Sequence, residues 1–436
     1  MSRLSVAQKG LLGLVVAYSL FRFSYSILTY NPILTPSISG DFQSSYREAA
    51  HWRQTGEFKL MATTNVPYPP FFYWWLFPLT YFPYTQVSAV LYAAQFLLFP
   101  WALALLAKAV SPDSRLRLLD YGICLGLAAN FQPLLETLST HKIEGLEFFL
   151  ICAAIFSLKQ GKEFRAGAEI FLATALKYIP GILLLYFLLR SRWRVVAGFL
   201  LAGLLCGAAF VLRFGLPAAW DLGFRQTLWL GLHPGADSNA MTANFEWQSL
   251  SETVNIFFAQ AASFRALGER LNSSQAVPVL LPKAAFWFAI LLKGAFCAGF
   301  PLFLRSKPPF RDRAKGWPLT LLEISLTLLL MPILLQAFRL HYGILILPAF
   351  VITGLLLFSN RGLMRLKEKI LFGLGFALSG MLIPGGLLNK LPVHPSLGVS
   401  YGRLYEWWEF QFFGYLLLGW AILLCHKRLQ GALLQK

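Results

Sequence analysis

The sequence predicts an all-α integral membrane protein, a single polytopic unit over residues 1–436. Three observations carry this. Of the 436 residues, 57% are hydrophobic. Only 13% are charged, against about 25% in an average soluble domain. The apolar residues fall into long runs of the length a bilayer-crossing helix needs, about 20 residues each. A soluble fold of this size could not bury so much apolar surface, so lipid has to serve as its solvent. The net charge of +18 would suggest nucleic acid in a soluble chain. Here the basic residues sit in short stretches between apolar runs, where they orient a protein in a membrane; the expected partners include membrane lipids and no nucleic acid. The five cysteines lie inside apolar runs without CxxC spacing, so neither a disulfide framework nor a zinc site is expected.

In chain order the apolar runs are about 10–29, 84–108, 117–135, 144–158, 166–190, 195–213, 280–304, 317–336, 341–358, 370–388 and 409–426. The first follows Arg3 and Lys9 without a small-residue cleavage site, so it reads as a span and not as a cleaved leader. With the N-terminus in the cytoplasm, the positive-inside rule makes 108–117, 159–165, 305–315, 361–369 and the C-terminus cytoplasmic. These stretches, with 190–194 and the first nine residues, hold most of the 38 Lys and Arg. One run breaks the alternation. Arg190, Arg192 and Arg194 would lie outside if 166–190 crossed fully. That run carries Lys177 and Pro180 near its middle, a charge beside a helix breaker. It therefore reads as two half-helices entering and returning on one side. The expected architecture is about ten full crossings plus one re-entrant helical hairpin, with both termini cytoplasmic. Large outer loops span about 30–83, 214–279 and 389–408, and the inner loops are short, which puts the chemistry on the outer face.

The first outer loop opens with Asp41. A short helix is expected over Ser45–Gln54, ended by Gly56, before Tyr68-Pro69-Pro70 fixes an extended turn into an aromatic stretch. Asp41 has two readings: an N-cap of the following helix, or a carboxylate at the membrane edge suited to general-base work.

The order of residues in this loop resembles the polyprenyl-phosphate-mannose-dependent mannosyltransferases of glycosyltransferase family 87, in the GT-C class of membrane glycosyltransferases. The matching residues are Asp41, Phe42, Tyr46, Ala49, Ala50, Gly56, Tyr68, Pro69, Pro70, Pro78 and Leu79. Three further segments agree in order: Lys177-Tyr178-Ile179-Pro180 before the Arg190–Arg194 cluster, Asn244 with Gln248-Ser249-Leu250, and Pro332 with Arg339-Leu340-His341-Tyr342 through Pro348. The likeness covers roughly residues 10–360. One departure is charged: His141-Lys142-Ile143-Glu144-Gly145 stands where a more neutral Gly-Gln pattern is expected.

The resemblance implies a GT-C-like bundle in a bacterial plasma membrane. It also implies an inverting, metal-independent transfer without a cofactor, from a polyprenyl-phosphate sugar to a glycolipid or glycan acceptor. Asp41 would be the base. The leaving phosphate needs fixed cations, for which Lys177, Arg339 and His341 are the candidates. Lys177 has a competing reading as a structural partner of Glu169 or another carboxylate. Asn244 and Gln248 would hydrogen-bond sugar hydroxyls, and Tyr46 and Tyr68 would stack on a sugar or pack the loop. Arg22, Lys293 and Glu323, also inside spans, read as helix packing or interior pairing. No Asp-x-Asp accompanies Asp41 and no His/Cys/carboxylate cluster is visible, so no metal is expected. A transporter or flippase of lipid-linked glycans and an envelope polysaccharide ligase or polymerase are the alternative functions.

Overall fold

A computed structural model describes residues 40–56, 69–115, 117–139, 142–220, 283–305, 313–334, 340–359, 365–380 and 410–434, with scattered positions between 10 and 24. All regular structure among them is helical. The helices are α1 (Gly40–Thr55), α2 (Pro70–Leu76), α3 (Tyr84–Val110), α4 (Leu118–Ala129), α5 (Gln132–Ser139), α6 (Glu144–Lys159), α7 (Glu163–Leu176) and α8 (Ile182–Leu189). They continue as α9 (Trp193–Phe214), α10 (Leu216–Ala219), α11 (Lys283–Arg305), α12 (Arg313–Leu329), α13 (Met331–Leu334), α14 (Leu347–Ser359), α15 (Leu366–Ser379) and α16 (Phe410–Leu434). From residue 84 on, each apolar run read from the sequence contains one of these helices or a broken pair. Four are by themselves long and apolar enough to cross a membrane: Tyr84–Val110, Trp193–Phe214, Gly316–Leu334 and Gln411–Leu433. The pair Leu118–Ala129 and Gln132–Leu138 makes a fifth if taken as one span. With its many apolar helices the chain is a multi-pass membrane protein.

The fifth span departs from the sequence reading of one straight run over 117–135, because its halves meet at 75°. Pro133 cannot donate a helical hydrogen bond and is tolerated only in a first turn, so the helix restarts there. The freed groups find partners elsewhere. Gln132 N–H donates to the Gly380 carbonyl at 2.9 Å. Asn130 Nδ2 donates to the Gly126 carbonyl and to Ser19 Oγ. The bend is thereby satisfied inside the bundle, where irregular backbone at membrane depth has to be.

The run 166–190 is also broken. The chain leaves α7 at Leu176, makes a 3₁₀ turn over Ile179–Gly181, and runs through α8. It then comes back to where it started. Arg192 pairs with Glu163 at 2.8 Å, so the foot of α9 lies beside the foot of α7. The two helices run parallel from there. A Cβ on Gly167 would sit 1.9 Å from the Val195 carbonyl oxygen, and one on Gly198 would sit 2.0 Å from that of Phe164. Two glycines thus let the backbones touch, the packing that membrane helices use where apolar side chains gain nothing over lipid. Since α7 and α9 start at one end and point the same way, the chain between them reverses.

The basic stretches gather at that same end. Trp317 Nε1 donates to the Ala109 carbonyl at 2.7 Å, and Lys159 Nζ lies 5.6 Å from the Trp317 ring centre. Arg190 Nη1 donates to the Leu304 carbonyl at 3.0 Å. Glu323 of α12 accepts from Arg190 Nε at 2.9 Å and from Tyr186 Oη at 3.0 Å, and pairs with Arg190 Nη2. His426 Nε2 of α16 lies 3.3 Å from the same carboxylate. Arg428 pairs with Glu368 at the start of α15. The ends of α3, α6, α11 and α16 and the starts of α7, α9, α12 and α15 therefore share what is called here the basic end. Of the two expectations for Glu323, helix packing or interior pairing, the structure shows the pairing. Lys293 donates to the Leu334 carbonyl at 3.3 Å, and Arg22 lies outside the described residues.

Candidate active site

The opposite end is built on an apolar cluster of Phe42, Ala49, Trp52, Phe72, Tyr73, Leu76, Val87, Ile143, Leu176 and Phe210. It ties α1 and the aromatic α2 to the start of α3, the start of α6 and the far ends of α7 and α9. Helix α1 is longer than the expected Ser45–Gln54 and begins at Gly40, so Asp41 lies in its first turn. It ends where the sequence placed its end, at Gly56 with φ +74, a left-handed conformation that glycine takes without strain. Tyr46 donates its hydroxyl to the Phe82 carbonyl, and its ring stands edge-on to Tyr84 at 5.4 Å. These contacts pack α1 onto the turn that starts α3.

Lys177 adjoins this cluster, next in the chain to Leu176. Helix α7 cannot continue through Pro180, which has no N–H to give. Lys177 is therefore extended, at φ −157 and ψ 137, and its backbone N–H closes the last turn on the Ala173 carbonyl. The side chain leaves the helix line and is buried, 3% exposed. Its ammonium donates to Glu144 Oε1 at 2.6 Å, and Glu144 is 0% exposed. The same ammonium lies 4.0 Å from the centre of the Tyr342 ring, within cation–π range. Of the two readings of Lys177, the pairing partner is thus Glu144 and not Glu169. Glu169 is held instead by Arg165, one turn back on α7, at 2.8 Å.

A second carboxylate faces the pair. Glu147 lies one turn along α6, fully buried, and interacts electrostatically with both Glu144 and Lys177. Among the described residues neither of its oxygens has a hydrogen-bond partner. Gln95 of α3 is buried against Gly145, where a Cβ would meet its Oε1 at 2.4 Å. A 3₁₀ turn over Leu340–Ile346 leads into α14, which begins at Leu347 with Pro348 in its first turn. Gly343 in that turn lies so close to α5 that a Cβ would meet Pro133 at 2.8 Å. This contact seats the turn, and with it Tyr342, against Lys177.

Three segments singled out in the sequence therefore meet at one end. Phe42, next to Asp41, shares the apolar cluster with Leu176, next to Lys177. Tyr342, next to His341, carries the ring beneath the Lys177 ammonium. The side chains of Asp41 and His341 themselves lie outside what is described, as do Tyr68, Asn244, Gln248 and Arg339. Sequence reasoning missed Glu144, Glu147 and Tyr342 as parts of this site. The signal was present, since two carboxylates one turn apart open an otherwise apolar run and intramembrane ionisable groups are functional by default. Among the described residues no group of three or more His, Cys, Asp or Glu side chains is arranged to hold a metal.

The model of glycosyltransferase family 87 matches residues 66–332, more than half of the chain and inclusive of α6, the hairpin and Lys177. The chain belongs to glycosyltransferase family 87. It is a membrane glycosyltransferase, acting with a sugar donor and an acceptor. No curated protein and no solved structure matches it.

Proposed function

We propose that this family 87 enzyme transfers mannose from a polyprenyl-phosphate donor to a lipid-linked or envelope glycan acceptor, with inversion and without a metal. The observation that carries the reading is the meeting of the Asp41, Lys177 and His341 segments at the end of the bundle opposite the basic stretches. In this reading the basic end faces the cytoplasm of a bacterium, with both termini there. The chain makes about ten crossings of the plasma membrane, and the α7–α8 unit enters and leaves on the cytoplasmic side with Lys177 at its apex. Chemistry then falls on the outer face.

Asp41, at the start of α1 and beside the aromatic α2, takes the proton from the acceptor hydroxyl as that oxygen attacks the anomeric carbon. The bond from that carbon to the donor phosphate breaks, and the leaving phosphate gains a full negative charge. Lys177, Arg339 and His341 stabilise that charge, and a cation fixed in a water-poor site does so without reorganising. A single carboxylate at Asp41 suits direct displacement, because a double displacement needs a nucleophile as well. Tyr46, Tyr68, Asn244 and Gln248 contact the sugar and the acceptor.

The test is purified protein in lipid vesicles with polyprenyl-phosphate mannose and a membrane-lipid acceptor fraction. A glycosylated product is expected, and Asp41→Asn is expected to abolish it in protein that still folds. Full turnover by Asp41→Asn would remove Asp41 as the base. Failure to consume any polyprenyl-phosphate sugar would overturn the donor class, and vectorial glycolipid movement without a covalent product would point to a flippase.

A further inference from the structure

We infer that Glu144 is a positioning residue for the donor phosphate, acting through Lys177 and Tyr342; the inference rests on the reading of Lys177 given under Proposed function. A lysine ammonium rides on a flexible four-carbon stem and is a poor fixed charge unless something holds it. Three contacts among the described residues hold this one. The backbone at Lys177 is anchored to the last turn of α7. Glu144 accepts a hydrogen bond from the ammonium at 2.6 Å. The Tyr342 ring lies beneath it at 4.0 Å. Together they join three separate parts of the chain: the first turn of α6, the apex of the α7–α8 reversal, and the 340–346 turn that carries His341.

Glu144 is the hub because it supplies the only one of these contacts that carries an opposite charge. It lies outside the residues that the sequence reading assigned to substrate, and it stands where that reading expected a neutral pattern. Glu147 adds to the case. Glu147 faces the same ammonium and, among the described residues, neither of its oxygens has a hydrogen-bond partner. A donor phosphate is served only by an ammonium fixed so that it, and not the neighbouring carboxyl groups, faces the donor. Glu144 fixes it from the α6 side and Tyr342 from below.

The experiment compares Glu144→Gln, Glu144→Asp, Lys177→Met and the Glu144→Gln/Lys177→Met double variant of the full chain in lipid vesicles. It reads kcat and KM for polyprenyl-phosphate mannose together with thermal unfolding. Glu144→Gln keeps a hydrogen-bond acceptor and loses the charge. It is expected to lower kcat/KM for the donor on the order of 100-fold, the scale of a misplaced catalytic group, with the KM for the acceptor unchanged. Glu144→Asp is expected to restore part of that loss. The double variant is expected to be no worse than Lys177→Met alone, since both act through one ammonium. Wild-type kinetics in Glu144→Gln, or losses that add in the double variant, would overturn the inference. Should Glu144→Gln fail to fold, Glu144→Asp decides: it keeps the charge one methylene short, and unchanged donor kinetics in folded protein would also overturn the inference. An inactive Asp41→Asn beside a fully active Glu144→Gln refutes Glu144 alone. An active Asp41→Asn refutes the base, and loss of all donor turnover in the wild type refutes the reading beneath both.

Discussion

The reversal between α7 and α9 has a buried cation at each end, and the two are surrounded differently. At the foot, Arg190 donates to Glu323 through Nε and Nη2 and to the Leu304 carbonyl through Nη1. Tyr186 and His426 complete the shell of Glu323. The Glu323–Arg190 pair there draws four elements together: α8, the end of α11, α12 and α16. At the apex, Lys177 has Glu144 and the Tyr342 ring. Yet Glu147 beside them is fully buried and has no hydrogen bond among the described residues. A buried polar group without a partner costs about 1–3 kcal/mol. Proteins retain such groups mostly where function needs them. Glu323, by contrast, has partners on both oxygens, so the foot reads as a clamp and the apex as a working site. Guanidinium suits the first because its planar fork fills several acceptors at once, whereas ammonium suits the second as a point charge.

That contrast can be broken at the foot. Glu323→Ala leaves Arg190 and His426 facing a buried space without their carboxylate. The expected loss is about 3–5 kcal/mol of stability, the range for removing one partner of a buried pair. It should appear as a lower unfolding temperature in detergent, while turnover per folded molecule stays near wild type. A folded Glu323→Ala protein with lost turnover would show that the two ends are not separable.

A smaller effect is expected where α7 and α9 touch. Gly198→Ala places a methyl group 2.0 Å from the Phe164 carbonyl oxygen, and backbone cannot give way there as a flexible side chain can. Overpacking of this kind costs about 1–3 kcal/mol. Thermal unfolding should register it, with Gly207→Ala, which meets nothing within 4 Å, as the neutral comparison. Equal unfolding temperatures for the two would refute the close parallel approach.

The smallest effect lies in the loop after α3. The Ser111 hydroxyl donates to Asp113 at 2.6 Å and the Arg115 N–H donates at 3.3 Å, with Arg117 nearby. These hold the Asp113 carboxyl down at about 2. A carboxylate whose folded pKa is depressed contributes stability above the ordinary carboxylate range and loses it as pH falls toward the folded value. Asp113→Asn should therefore unfold slightly earlier than wild type at neutral pH, and the gap should close in acid at about pH 2. A gap that widened as pH fell would contradict the assigned hydrogen bonds.

Much of this arrangement was legible in the chain. Apolar run length located the helices, Lys177 with Pro180 located the break, and the arginines at 190–194 required a reversal, which the Arg192–Glu163 pair meets. Gly56 ended α1 as expected. What was not legible involved choices between partners. Glu169 was the natural candidate for Lys177 on one run, but eight residues along a helix is about 12 Å, and its neighbour one turn back is Arg165. The bend at Asn130–Gln132 had its signal in Pro133, which the run-length reading of 117–135 passed over, but its outlet, the Gly380 carbonyl, comes from a distant segment that local sequence does not point to.

By itself the sequence determined that lipid is the solvent, where the helices lie, which ends carry the positive charge, and that an unusual lysine breaks one run. Those properties depend on composition and on residues within a turn or two of each other. Only the tertiary structure decided which buried charge answers which. The pair Lys177–Glu144 spans 33 residues, Arg190–Glu323 spans 133, and His426–Glu323 spans 103. Whether such groups meet depends on which helices become neighbours. That is settled by packing, such as the two glycines that bring α7 against α9, and local sequence carries no record of it.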